Sequence, residues 1–235
     1  MKKNVSVIVP FFNEEENIDI FLNELNSFLS LSNIINNYEI ICINDGSIDK
    51  TILFLTKFQN TYDFFSIINL PTNKGQSNAI YLGVQIAQYA NIVTIDGDCQ
   101  NDPKDIDKLL YLYFNEPLCD LVAGERIKRK DDYLKILSSK ISNKFRNYIF
   151  KDGCKDSGCS LKIFKKNIFL SIPFFNGLHR FIPSLFVGFG YNVRYMDVNH
   201  RPRKMGKSKY GIGNRLFIGI RNMFIVHNII KKKRK

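Results

Sequence analysis

The 235-residue sequence has no tryptophan, three histidines and five cysteines, and these scarcities narrow its chemistry first. His179, His200 and His227 stand far apart, none at metal-ligand spacing, so packing or hydrogen bonding is the role assigned to each. Cys42, Cys99 and Cys119 are isolated, and the four residues between Cys154 and Cys159 do not make a zinc knuckle without further partners. This usage excludes a disulfide framework and fits reduced, partly buried thiols in a cytoplasmic protein. No uninterrupted apolar run reaches the ~20 residues of a spanning helix. The amino terminus, Met1-Lys2-Lys3-Asn4, runs straight into a short apolar strand with no signal-peptide core. Internal repeats and low-complexity linkers are missing as well, so composition forces no second globular domain.

What is present is an ordinary globular mixture, 45% hydrophobic and 24% charged, long enough to bury one large core. The net charge of +12 calls for a partner. Nucleic acid is one reading, but the cations gather late, ending in Lys231-Lys232-Lys233-Arg234-Lys235. A terminal run of this kind also suits an anionic membrane, at roughly 1 kcal/mol per basic residue near the bilayer.

Patterning along the first hundred residues alternates strand and helix. Val5-Ser6-Val7-Ile8-Val9 is a buried strand stopped by Pro10, and Asn13 is placed to cap a helix starting at Glu14-Glu15-Glu16. Ile18, Phe21, Leu22, Leu25, Phe28 and Leu29 give that helix one apolar face. Strands follow at 39–43, 64–68 and 92–95, with helices from about residue 49 and after Asn73-Lys74-Gly75. Later strands are expected at 121–124, 157–164 and 192–198, and a helix over 131–150. The pattern predicts an α/β fold with a mainly parallel, doubly wound sheet and helices on both faces. Ligands bind such sheets beyond the carboxyl ends of the strands. Asn13, Glu14, Asp45 and Asp96 all fall there.

Asp96-Gly97-Asp98 sets two carboxylates two residues apart after a buried strand, on one face of extended chain. Neighbouring carboxylates repel, so both stay ionised most easily beside a cation. Mg2+ or Mn2+, held by one or two carboxylates and substrate phosphates, meets that need. A glycosidase also uses two carboxylates, but roughly 5 Å or more apart, flanking the sugar.

Seven segments carry a resemblance. They are Val7-Ile8-Val9-Pro10-Phe11-Phe12-Asn13-Glu14; Asn44-Asp45-Gly46-Ser47-Ile48-Asp49-Lys50-Thr51; Asn73-Lys74-Gly75-Gln76 with Ala79; and Asp96-Gly97-Asp98-Cys99-Gln100-Asn101-Asp102-Pro103. Ser157-Gly158-Cys159, His179-Arg180-Phe181-Ile182-Pro183 and Arg203-Lys204-Met205-Gly206-Lys207-Ser208-Lys209-Tyr210 complete the set. In this order they cover nearly the whole chain, which resembles family 2 glycosyltransferases of the GT-A fold, in the polyprenyl-phosphate (dolichol-phosphate mannose synthase-like) branch. The resemblance implies an inverting transfer from a nucleotide-diphosphate-sugar donor. Pro10, Phe12 and Glu14 would line the nucleoside pocket, Asp45 would hydrogen-bond the base, and Lys74 would join the donor-binding set. Asp96, Asp98 and Gln100 would hold the metal and diphosphate. Asn44 and Phe12 depart from the family's more usual Asp and Tyr. The missing tryptophan rules out the Gln-x-x-Arg-Trp motif of the family's processive polysaccharide synthases, which favours a single transfer to a carrier.

A hydroxyl acceptor needs a general base, whereas a phosphate monoester, with a second pKa near 6, is already largely dianionic at neutral pH. It needs cations. Arg126, Arg203 and Lys207 are assigned to phosphate, because they lie in family-like segments and Gly206-Lys207-Ser208 suits phosphate oxygens. Lys128, Arg129 and Lys130 read equally as a solvated basic face. Asp156 is a second catalytic or positioning carboxylate. The expected acceptor is therefore a polyprenyl phosphate. A sugar or glycan hydroxyl in cell-surface polysaccharide synthesis is the alternative, with Asp156 as base. A nucleic-acid-binding protein would leave Glu14, Asp45, Asp96 and Asp98 without a task, so no nucleic acid is expected.

Residues 214–230 are strongly apolar but broken by Arg221, Asn222, His227 and Asn228. An amphipathic interfacial helix followed by five cations fits them better than a spanning one. The expected organisation is a GT-A domain over 1–212 and an apolar helix with a basic tail over 213–235. The whole would be cytoplasmic and peripheral on the inner face of the membrane.

Overall fold

The structure, a computed structural model, describes residues 2–127, 133–203 and 213–233, with side chains described from residue 141 onward in the fifth helix and from residue 218 onward in the last. The elements run β1 (Lys3–Phe11), α1 (Ile18–Leu31), β2 (Ile35–Asp45), α2 (Thr51–Gln59), β3 (Phe65–Leu70), α3 (Gln76–Ile86), β4 (Asn91–Thr94) and α4 (Asp105–Asn115). There follow β5 (Leu121–Arg126), α5 (Tyr133–Phe150), β6 (Lys162–Lys165), α6 (Lys166–Ser171), a 3-10 turn (Leu178–Arg180), α7 (Ile182–Gly188), β7 (Val193–Val198) and α8 (Gly213–Lys233).

Seven strands form one sheet in the order β3-β2-β1-β4-β6-β5-β7. All pairings are parallel except those of β6, which runs antiparallel to both β4 and β5. The sheet is covered on both sides, which is why its strands read as near-continuous apolar runs. Alternate residues of β1 divide between two cores. Val5, Val7 and Val9 pack against Ile18, Phe21, Leu25, Leu55 and Ile106, from α1, α2 and α4. Ile8 faces Ala79, Val84, Phe169 and Phe186, from α3, α6 and α7.

Three expectations are revised. The first helix begins at Ile18 rather than Glu14, because Asn13 takes a left-handed conformation (φ 53°) and Glu14 to Asn17 form a turn. The strand expected over 157–164 is confined to Lys162–Lys165, and Ser157-Gly158 lies in a turn instead. The third concerns the last helix. Met223, Val226 and Ile230 of α8 are buried in the second core, packed towards α7. A Cβ on Gly188 of α7 would lie 2.4 Å from the Ile230 side chain. The apolar stripe of α8 therefore serves the protein's own interior, and among its described side chains Ile218, Ile220 and Phe224 are the large apolar ones left exposed. Among the described residues, no helix is long and apolar enough to cross a membrane.

Candidate active site

After β1 the chain moves outward to β2 and β3, then returns to β4 on the other side of β1. That reversal opens a crevice at the carboxyl ends of β1 and β4. Pro10 is the penultimate residue of β1, opposite Ile43, and Phe12 lies just beyond the strand, both part-buried. The loops after β1 and β2 are stitched together. The Asn13 N–H donates to Ser47 Oγ (2.8 Å), the Ile48 N–H to Asn13 Oδ1 (2.8 Å) and the Glu14 N–H to Thr51 Oγ1 (3.0 Å). Asp45 is buried, and its two oxygens accept the N–H groups of Lys74 (2.7 Å) and Gly75 (2.9 Å). It anchors the loop that starts α3 and leaves the Lys74 side chain exposed at the rim.

Asp96 and Asp98 follow β4. Asp96 accepts a hydrogen bond from Gln76 Nε2 (2.7 Å), and its backbone N–H donates to Ser160 Oγ (3.1 Å). Burial first, and the neighbouring Asp98 charge second, push its carboxyl up to about 7, against the pull of Ser160, Lys162 and Arg126. Gly97 is required by packing, since a Cβ there would lie 2.2 Å from the Phe11 ring. The room left by Gly97 is thus filled by Phe11. Asp98 Oδ1 caps the Gln100 N–H (3.1 Å), and Oδ2 accepts from Arg203 Nη2 (2.8 Å). Arg203 Nη1 reaches Glu14 Oε1 (3.3 Å), while Glu14 Oε2 accepts from Asn17 (2.7 Å). One guanidinium therefore joins the acid after β1 to the acid after β4.

The segment bearing Arg203 is tied to the Asp98 loop. The Arg201 N–H donates to Gln100 O (2.9 Å), the Gln100 side chain turns back to Arg201 O (3.5 Å), and His200 bridges Asn101. Arg201 itself grips Glu24 through both terminal nitrogens (2.8 and 2.7 Å) and Asp102 (2.8 Å). On the other wall Arg126 and Asp156 form a two-pronged ion pair, Nε to Oδ2 at 2.6 Å and Nη2 to Oδ1 at 2.9 Å. The Arg126 N–H adds a third bond to that carboxylate (3.3 Å).

A family model described as glycosyl transferase family 2 matches residues 6–172, more than half of the chain. The chain belongs to this family. Among curated relatives, the dodecaprenyl-phosphate galacturonate synthase of Rhizobium johnstonii is 34% identical over 212 residues, covering 88% of this chain and 62% of the relative. The undecaprenyl-phosphate 4-deoxy-4-formamido-L-arabinose transferase of Pectobacterium carotovorum is 31% identical over 209 residues, covering 88% and 63%. The chain thus spans under two thirds of the length of these relatives. Glucosyl-3-phosphoglycerate synthase from Mycobacterium tuberculosis, solved with Mn2+, UDP-glucose and phosphoglyceric acid, superposes with a TM-score of 0.73 at 13% identity over 97% of this chain and 80% of that one. That likeness confirms the GT-A fold.

Within this family 2 frame the acids suit a hard divalent cation. Among the described residues no group of three or more His, Cys, Asp or Glu side chains is placed to hold a metal unaided. Two carboxylates leave a deficit that donor phosphate oxygens would fill, as Mg2+ sites commonly do. The raised Asp96 carboxyl and the guanidinium on Asp98 both mark a place that demands positive charge. Lys207, Lys204 and Lys209, like Lys128, Arg129 and Lys130, lie outside the described residues.

Sequence reading assigned no site role to the groups beneath the acids. Gln76, Thr94, Ser157, Lys162 and His179 line a polar cavity of about 10 Å3, room for one water. Lys162 is buried and donates to Cys159 O, and burial lowers its ammonium pKa. A lysine inside the apolar run Leu161-Lys162-Ile163-Phe164 was its only signal. His179 Nδ1 lies 2.6 Å from Ser77 Oγ, and burial holds the imidazole well below its ordinary 6.5. The folded protein therefore resists a proton that the unfolded chain takes up near pH 6.5, so the His179 contribution to stability falls on acidification below that value, while Asp96, whose raised carboxyl takes its proton more readily in the folded state, contributes in the opposite direction over the same window. Melting temperatures recorded from pH 7.5 to 5 should fall more, or rise less, in the parent than in His179→Asn; the same pH dependence in both proteins would refute the His179 contribution.

Proposed function

We propose that this chain carries the catalytic domain of a glycosyltransferase moving a sugar from a nucleotide-diphosphate-sugar to a polyprenyl phosphate. The Glu14–Arg203–Asp98 bridge across the β1/β4 crevice carries the reading, because it gathers acid and guanidinium where such sheets bind nucleotides. The acceptors of the two curated relatives, dodecaprenyl and undecaprenyl phosphate, support the acceptor class. Pro10, Phe12 and Glu14 border the nucleoside end. Asp45 keeps lone pairs for a base beyond its two backbone bonds, and Lys74 stands at the same rim. Mg2+ or Mn2+ held by Asp98 and Asp96, with Gln100 beside them, would neutralise charge on the departing diphosphate.

The acceptor phosphate needs no base. Its oxygen attacks the anomeric carbon as the bond from that carbon to the diphosphate oxygen breaks, inverting the centre. Arg126, held by Asp156 in a fixed fork, would orient it; Arg203 would meet the phosphates from the donor side, and Lys207 is assigned to phosphate with them. Asp156 already accepts three N–H groups from Arg126, which suits it to positioning rather than to removing a hydroxyl proton. The test is a screen of nucleotide sugars for transfer to a polyprenyl phosphate, with and without chelator. Chelator-insensitive transfer, or transfer to glycan hydroxyls alone, would refute the reading.

Attachment to the cytoplasmic membrane face belongs to the same proposal. Exposed Ile218 and Phe224 on α8, exposed Phe145 and Tyr148 on α5, and the Lys231–Lys233 run offer apolar and cationic contacts. Removing α8 would expose the second core, so point changes make the cleaner test. Flotation of the full chain with anionic vesicles should drop several-fold on Phe224→Ser with Lys231, Lys232 and Lys233 changed to Gln; undiminished flotation would discard this surface.

A further inference from the structure

Arg203 does more than await a phosphate. Its guanidinium is already engaged by Asp98 Oδ2 at 2.8 Å and Glu14 Oε1 at 3.3 Å, and the three side chains are only 22%, 15% and 9% exposed. Water therefore screens these contacts incompletely, and hydrogen bonds between ionised groups are the stronger kind. The backbone behind Arg203 is fastened: Arg201 is clamped by Glu24 and Asp102, and the 200–201 stretch is bonded to 100–101. The Arg203 guanidinium is thus presented to Asp98 from a stretch anchored two residues earlier.

We infer that Arg203 is the resident cation of the metal-side carboxylate, and that it makes divalent metal and nucleoside diphosphate enter together rather than metal alone. The inference rests on the metal reading of Asp98 proposed above. A bare divalent ion approaching Asp98 meets an oxygen already bonded to a positive group, and the two cations repel. It would also have to break the Asp98 bond of Arg203 with no replacement anion for the guanidinium. A diphosphate changes both conditions. Its oxygens supply the metal ligands that two carboxylates lack, and they offer the planar guanidinium a new two-pronged partner. Arg203 can then pass from carboxylate to phosphate without losing a charged partner. Metal and diphosphate should accordingly bind with strong positive coupling, and by linkage each should strengthen the other by the same factor. Arg203 is thus a specificity-determining residue for the loaded state, guarding the acids against occupation by metal alone.

The measurement is Mn2+ binding to the full chain, followed by the electron paramagnetic resonance signal of the free ion, with and without UDP or GDP. Without nucleotide, Arg203→Gln and Arg203→Ala should each bind Mn2+ roughly tenfold more tightly than the parent protein, and the gain produced by diphosphate should shrink by a similar factor. Arg203→Lys, which keeps the charge, should stay close to the parent in the absence of nucleotide. Equal or weaker Mn2+ binding by both neutral variants, in a protein that does bind Mn2+ with diphosphate, would overturn the role given to Arg203 and leave the metal site standing. Absence of Mn2+ binding under every condition would remove the metal site itself, and this inference with it.

Discussion

Asp98→Asn should lower sugar transfer by roughly 10²–10³-fold, the usual cost of losing one well-placed electrostatic group in a reaction centre, while moving the melting temperature by no more than about 3 °C. The substitution is nearly isosteric. Asparagine keeps an oxygen for the Gln100 N–H, the 3.1 Å bond that shapes the turn after Gly97. What disappears is the negative charge opposite Arg203 and beside Asp96. An amide nitrogen would then face a guanidinium that now approaches a carboxylate oxygen at 2.8 Å. Asp98 is also the second cause of the raised Asp96 carboxyl, so the remaining acid should ionise more readily in the variant. Loss of activity therefore cannot be laid to protonation of Asp96. Steady-state kinetics at saturating Mn2+, beside a thermal melt, check both halves. Transfer close to that of the parent would move the metal-dependent chemistry away from this loop.

The framework of the site was legible because buried parallel strands announce themselves. Val5–Val9, Ile40–Ile43 and Ile92–Ile95 are buried on both faces and almost wholly apolar, Ser6 and Thr94 excepted, and the polar residues that follow each run have to lie at a carboxyl end. That reasoning puts Glu14, Asp45 and Asp96 at the carboxyl ends of β1, β2 and β4, where the fold has them. It could not say what each acid touches. Asp45 reads as a base contact, and the fold adds a second task, one bond from each oxygen to the backbone of Lys74 and Gly75, some 30 residues later. Glu14 looked like the first turn of a helix. It is instead turned inward, towards Asn17 and Arg203.

Partnerships across distant segments leave no periodic trace. Arg126 and Asp156, 30 residues apart, meet because β5 and the chain entering β6 lie side by side. Arg203 meets Asp98 across 105 residues. The antiparallel turn of β6 was equally hidden, since Lys162–Lys165 is only four residues long and its apolar positions look the same in either direction. The last helix shows the limit of composition most clearly. An apolar stripe beside a basic tail has the same spelling whether the stripe meets lipid or the protein's own core, and Gly188 together with Ile230 decides for the core.

Behind Arg126 and Asp156 lies the most deeply buried ion pair among the described residues, and its removal should cost the fold heavily. Arg146 of α5 and Asp152 are 3% and 0% exposed at their side chains and joined at 3.1 Å. The same guanidinium bonds Asn143 Oδ1 (2.8 Å) and Cys154 O, and Asp152 also receives the Ser184 hydroxyl of α7. Arg146→Met would leave the Asp152 carboxylate buried opposite a thioether, and breaking such a pair typically costs about 3–5 kcal/mol. For a chain of this size that corresponds to a fall of roughly 10 °C in melting temperature. The damage should reach function as well. Residues 152–156 are held to α5 by this network, and Asp156 at their end sets the fork of Arg126. Loosening them should raise KM for the phosphate acceptor more than it changes KM for the donor, whose proposed contacts are on the loops after β1, β2 and β4. The double change Arg146→Met with Asp152→Leu removes both charges together and should recover most of the lost stability, as buried pairs exchanged for apolar groups commonly do. It should not recover the acceptor KM, because the polar anchor of the Asp156 turn would still be missing. A loss below about 1 kcal/mol in the single variant, or a donor KM that rises in step with the acceptor KM, would show that the pair does not brace this wall.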